Sequence, residues 1–170
     1  FRRRCCRRVG AAVFQVTEEL DRKIRSVFPF RFTREQDRVV AEIAKDLRGP
    51  APMYRLLQGD VGTGKTAVAL YAMLVAVRNG CQAALMAPTE VLAEQHFRTI
   101  ARALERYPVR IALLTGSVRG VERRSILAGL ASGKVHIAVG TQALIQEGVD
   151  FKALGLAVID EQHRFGVRQR

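Results

Sequence analysis

Gly59-Asp60-Val61-Gly62-Thr63-Gly64-Lys65-Thr66 is a complete Gly-x-x-x-x-Gly-Lys-Ser/Thr phosphate-binding loop, and its flanks decide the fold. Before it, Tyr54-Arg55-Leu56-Leu57-Gln58 reads as a short strand. After it, Ala67 to Val77 is apolar all round, the pattern of a buried helix, and closes at Asn79-Gly80 with a helix-ending glycine. A strand, a glycine loop and a helix start together aim several backbone N–H groups and the positive end of the helix dipole at one spot. That arrangement suits a di- or triphosphate. The glycines permit close approach, Lys65 reaches the β and γ phosphates, and the Thr66 hydroxyl can hold Mg²⁺.

Outward from the loop, apolar runs alternate with helical patterns from Thr33 onward. Expected strands are 54–58, 82–87, 110–114, 135–139 and 156–160; expected helices are 34–47, 65–78, 89–106 and 119–131. Strands rich in Val, Leu, Ile and Ala, separated by helices, imply an α/β fold: a parallel sheet covered by helices on both faces. In such a sheet the carboxyl ends of the strands share one edge, where ligands bind. No internal repeat or low-complexity linker interrupts the pattern.

At 170 residues the chain is one domain by length, and its start at Phe1 reads as the start of a piece of a longer protein. Lys and Arg number 28 against 16 Asp and Glu, a net +12 that favours a polyanionic partner such as nucleic acid. Part of the excess lies in Arg2-Arg3-Arg4-Cys5-Cys6-Arg7-Arg8, either a basic arm or a disordered end. With Val9 to Phe14 this run imitates a signal peptide, but it passes into Thr17-Glu18-Glu19-Leu20-Asp21 without a convincing cleavage site. No stretch of 18 residues lacks charge, which argues against a membrane span, and no membrane partner is expected. Cys5, Cys6 and Cys81 show neither metal-ligand spacing nor a disulfide framework, so a reducing cytoplasm fits best.

The last expected strand ends in Asp160-Glu161-Gln162-His163. Beside a phosphate loop, two carboxylates at that edge suit a metal and water site, with Asp160 on Mg²⁺ and Glu161 orienting and deprotonating the attacking water. Upstream, Thr33-Arg34-Glu35-Gln36 is a capping box, opening a helix with Val39, Val40, Ile43, Ala44 and Leu47 as its buried stripe. The Gln36 amide can also pair with the N6 and N7 edge of adenine while Phe30 stacks nearby, and both roles coexist only if the amide is shared. Three further strand ends carry small residues: Pro88-Thr89-Glu90, Thr115-Gly116-Ser117 and Gly140-Thr141-Gln142. Each reads as a plain cap or turn, or as part of a track of N–H and hydroxyl groups gripping phosphodiester oxygens without reading bases.

Together, Phe30 to Gln36, Gly59 to Thr66, Ala87 to His96, Leu113 to Ser117, Val139 to Glu147 and Asp160 to Val167 resemble the first motor lobe of a superfamily 2 helicase. This is a P-loop NTPase with a RecA-like parallel sheet. More narrowly, Met53 to Asp60 and Asp160 to Arg170 are similar to the RecG family of bacterial ATP-dependent DNA helicases, which remodel stalled forks and Holliday junctions in recombination and repair. The motor of the transcription-repair coupling factor has a similar His-Arg-Phe-Gly ending; Leu57, Gln58 and Gln162 favour RecG.

The resemblance spans residues 28–170 and leaves 1–27 unplaced. It implies that Gln36 senses adenine and that Thr89, Thr115 to Ser117 and Thr141 grip a DNA strand. It also implies that Gln162, His163 and Arg164 couple ATP state to DNA state. Thr63 in place of the usual serine, and Arg34-Glu35 in place of small residues, touch no catalytic role. A DNA-binding wedge domain before the lobe, and a second motor lobe after it that supplies an arginine finger, are expected in the full-length parent. A small-molecule kinase or transporter-type ATPase would carry a substrate lid or family signature after the loop, and none is found. A nucleic-acid-binding module without turnover is hard to reconcile with intact Lys65, Asp160 and Glu161.

Overall fold

Thr33 opens its helix by the mechanism its spacing predicts: the hydroxyl accepts from the Gln36 N–H at 3.2 Å, and the Gln36 side chain accepts from the Thr33 N–H at 2.9 Å. The computed structural model describes residues 13–60 and 62–160. Along these run the helices α1 (Glu18–Arg25), α2 (Arg34–Leu47) and α3 (Lys65–Arg78), strand β1 (Gln82–Met86), α4 (Glu90–Leu104) and β2 (Ile111–Leu114). Then follow α5 (Gly120–Ser132), β3 (Ile137–Gly140), a 3-10 helix (Gln142–Ile145) and β4 (Leu154–Ile159).

The strands form one parallel sheet in the order β2-β3-β1-β4. Because side chains alternate across a strand, one face carries Ala83, Leu85, Ile137, Val139 and Leu156, packed with Ile100 and Leu104 of α4 and with most of α3. The other carries Met86, Leu114 and Ala138 against Leu130 of α5 and Ala143 and Leu144 of the 3-10 helix. Helices therefore cover both faces, as the apolar strands require. In α3, Tyr71, Met73, Val75 and Ala76 are completely shielded from solvent. Burying each large apolar side chain of this kind contributes about 1.5–3 kcal/mol.

One expected strand does not form. Residues 54–58 lie outside the sheet: Met53 and Leu57 pack on the core, while Tyr54 and Leu56 are exposed. Arg55 instead ties the segment to α2, pairing with Glu42 at 2.6 Å and Asp46 at 2.7 Å. Strand propensity alone does not make a strand: β2 and β4 each have only one neighbour among the described strands, yet this segment is tied to α2 through Arg55 instead of pairing with either.

Residues 13–27 join the body of the lobe. Phe14 and Ile24 are buried in the main core, and the Phe14 N–H donates to the Leu47 carbonyl at 3.0 Å. The Tyr71 hydroxyl donates to Asp21 at 2.6 Å; burial first, and this bond second, raise the phenol far above its ordinary pKa, so it remains a donor. Arg25 bridges Asp21 of α1 at 2.7 Å and Asp37 of α2 at 2.5 Å, with its guanidinium 5.2 Å from the centre of the Phe32 ring. The basic run Arg2 to Arg8, with Cys5 and Cys6, lies outside the described residues.

Candidate functional site

Backbone pairing brings four strand ends level. Leu114 of β2 faces Gly140 of β3, which faces Met86 of β1, which faces Ile159 of β4. The next residues, Thr115, Thr141, Ala87 and Asp160, therefore follow one another along one edge, about 14 Å across at the usual strand spacing.

The helix after the phosphate loop starts bare. α1, α2 and α4 open on Thr17, Thr33 and Thr89, whose hydroxyls accept from an N–H of the first turn. α3 opens on Gly64 at φ +78°, with no side-chain cap and no acidic residue in its first turn. Such a start presents donors and a positive dipole end to an anion. The Lys65 ammonium donates to the carbonyls of Gly59 and Asp60, both at 2.7 Å, and so lies folded over the loop. A Cβ on Gly64 would collide with the Gln36 amide nitrogen, and one on Gly59 would come within 2.9 Å of the Thr63 hydroxyl. At Gly64 the left-handed backbone itself favours glycine, whereas at Gly59 a larger residue would only have to displace the Thr63 side chain. Gly62 and Thr63 are exposed, Thr66 is half-buried, and Val61 lies outside the described residues.

Gln36 is shared. Its oxygen completes the capping box, and its nitrogen donates to the Thr63 carbonyl at 2.8 Å, joining α2 to the loop. Phe30, half exposed, stands 5.8 Å from Phe28 and 6.1 Å from Phe32 between ring centres. The amide keeps a second N–H and a second lone pair, so it has the capacity to meet adenine while holding both bonds. Gln36→Glu keeps the capping acceptor but sets a carboxylate against the Thr63 carbonyl. It is expected to leave thermal stability nearly unchanged while weakening nucleotide binding. Gln36→Ala should weaken binding and also cost about 1 kcal/mol of stability through the lost cap. Thermal melts and titration with a fluorescent ATP analogue check both; unchanged binding in Gln36→Glu would reduce the residue to a cap.

The strand-end loops are cross-tied. Thr89 caps α4 by accepting from the Leu92 N–H at 3.3 Å, and Glu90 accepts from the Ser117 N–H at 3.1 Å. Thr141 accepts from the Ala143 N–H at 3.5 Å and donates its own N–H to the Leu114 carbonyl at 3.3 Å. A hydroxyl that accepts in a cap still has its own proton to give, so Thr89 and Thr141 remain able to donate to a phosphate. Thr115 is different: it is buried, and its hydroxyl pairs with that of Ser117 at 2.8 Å, which leaves Gly116 and Ser117 as the exposed part of that loop. Gly140 has a packing reason to be glycine, since a Cβ there would overlap the Leu114 carbonyl. Pro88 is half-buried before the α4 cap.

Asp160 follows β4 with its N–H donating to the Met86 carbonyl at 2.9 Å. Its Oδ2 lies 2.7 Å from Nε2 of His96, a residue to which the sequence reading gave no role. The signal was a polar residue on the apolar stripe of α4, three positions after buried Ala93 and four before buried Ile100. Glu161, Gln162, His163 and Arg164 lie outside the described residues. Among the described residues no three His, Cys, Asp or Glu side chains cluster to hold a metal. A Mg²⁺ that is mostly held by phosphates and water needs no such cluster. A hydroxyl such as Thr66 and a carboxylate such as Asp160 fit that mode of binding.

Known proteins agree with this architecture. The chain is 54% identical over 160 residues to the ATP-dependent DNA helicase RecG of Synechocystis, covering 94% of this chain and 19% of that protein. It is 55% identical over 153 residues to RecG of Bacillus subtilis, covering 90% of this chain and 22% of that protein. The chain thus spans about a fifth of the length of these relatives. A solved structure of RecG bound to a three-way DNA junction superimposes with a TM-score of 0.84 at 43% identity, covering 92% of this chain and 22% of that one. Residues 33–170 match the model of the DEAD/DEAH box helicases, and the chain belongs to that family.

Proposed function

We propose that this chain is the ATP-binding motor lobe of a RecG-type ATP-dependent DNA helicase that works on branched DNA, with a wedge domain and a second motor lobe elsewhere in the parent. The observations that carry this reading are the bare start of α3 and, in the same α/β body, a level row of strand ends followed by Thr89, Ser117 and Thr141. Bound Mg-ATP supplies the γ-phosphoryl group and the divalent charge for hydrolysis. The loop glycines and the first N–H groups of α3 cradle the phosphates, and Lys65 swings from the Gly59 and Asp60 carbonyls to the β and γ oxygens. Thr66 and Asp160 would hold the metal, and Glu161 would orient the attacking water and take its proton. Thr89, Gly116, Ser117 and Thr141 grip phosphodiester oxygens, and Gln162, His163 and Arg164 relay the state of the nucleotide. A cytoplasmic location fits a DNA motor, and no helix among the described residues is long and apolar enough to cross a membrane.

The test is phosphate release by the full-length parent, with and without a forked duplex, across a range of salt. Turnover should rise with DNA, and DNA affinity should fall steeply with salt while base sequence matters little, as backbone contacts require. Turnover indifferent to DNA would sink the motor reading. A strong sequence preference with a flat salt response would remove the backbone track.

A further inference from the structure

The His96 to Asp160 contact joins two parts of the site that are far apart in the chain. Asp160 ends β4, whereas His96 sits in the second turn of α4, 64 residues earlier, on the helix face that packs against β2 and β3. The pair is sheltered, with the His96 side chain 15% exposed and that of Asp160 34%. Toward its start, α4 is fixed to the strand-end loops: Thr89 is its cap, and Glu90 holds the Ser117 N–H. Seven residue steps, about 10 Å of a stiff rod, separate Thr89 from His96. A shift of the loops that α4 holds therefore carries the imidazole with it. Ala93 and Ile100, both fully buried, seat the helix on either side of His96, and the contact with Asp160 holds the ring.

We propose that His96 is a positioning residue: its Nε2–H donates to Asp160 Oδ2, fixing the carboxylate to α4 and through α4 to the loops around Thr89 and Ser117. The pair then forms a direct mechanical link between the strand-gripping edge and the nucleotide site. Outer ligands of this kind set the orientation of the groups that hold a metal, and their removal typically costs 10- to 100-fold in metal affinity or activity. This inference rests on the reading of Asp160 as a Mg²⁺-binding carboxylate.

The test uses the full-length parent and three variants, His96→Ala, His96→Gln and Asp160→Asn. Two quantities are read: the Mg²⁺ concentration that half-saturates binding of a fluorescent ATP analogue, and the ratio of phosphate release with and without forked DNA. His96→Ala should raise the Mg²⁺ requirement about tenfold and lower the DNA stimulation ratio by a similar factor. His96→Gln, whose amide N–H can reach the same oxygen, should restore most of both. Unchanged values in His96→Ala would overturn the proposal. Equal losses in the Ala and Gln variants, accompanied by a lower melting temperature, would also overturn it by making His96 a packing residue. Asp160→Asn separates the two readings: if it leaves the Mg²⁺ requirement unchanged, the metal assignment itself is wrong. If it raises that requirement while His96→Ala does not, only the link fails.

Discussion

Lys65→Ala in the full-length parent is expected to reduce ATP turnover by at least about 10²- to 10³-fold, the cost of deleting a preorganised charge that meets a developing negative charge. Lys65 is the flexible cation at the loop, and its present bonds are to two loop carbonyls that an alanine would simply leave to water. It carries little of the fold. The packing of α3 begins at Val68, so the variant should melt close to the parent's temperature. Steady-state phosphate release together with a thermal melt distinguishes lost chemistry from lost structure. Normal turnover would end the phosphate-loop assignment, and a collapsed melting temperature would mean that the lysine supports the fold rather than the reaction.

The polypeptide of residues 1–170 by itself should hydrolyse Mg-ATP about 10³ to 10⁵ times more slowly than the DNA-activated parent, the range an arginine finger spans. By resemblance that arginine belongs to a second lobe, and the chain covers about a fifth of its relatives. One wall of a cleft can bind a nucleotide weakly, but it leaves the transferred phosphoryl group open to water and without its last cation. Phosphate release by the isolated polypeptide, measured with and without a forked duplex, gives the answer. Robust stimulation by DNA would mean that the missing cation comes from within these residues or from a second copy of the chain.

Much of this lobe could be read from its residues because its signals are local. The capping box at Thr33 and Gln36, the apolar barrel of α3 and the Val-, Leu- and Ala-rich strands each declare themselves within a few positions. The strand expected at 54–58 does not form because pairing is not local: the side chains suit a sheet, yet Arg55 ties the segment to Glu42 and Asp46 of α2. The setting of Thr115 is likewise not local: its type suggests a ligand for phosphate, while its burial and its bond to Ser117 depend on the whole β2 end. His96 was overlooked because its partner lies 64 residues away. A polar residue within an apolar stripe marks a tertiary contact without naming it.

The anchoring of α1 has a practical consequence for anyone cutting the gene. The family match begins at residue 33, which invites an expression boundary there. Such a cut would strip Phe14 and Ile24 from the core, leave the Tyr71 hydroxyl without Asp21, and remove the Ser26 carbonyl that receives the Tyr107 hydroxyl at 3.0 Å. Phe14, Ile24 and the apolar side chains of α3 share one core cluster, so the cut would bare an oily strip prone to stick to its like. A boundary ahead of residue 13 keeps that strip covered, so the useful edge of this lobe for cloning lies some twenty residues before the one its family signature suggests.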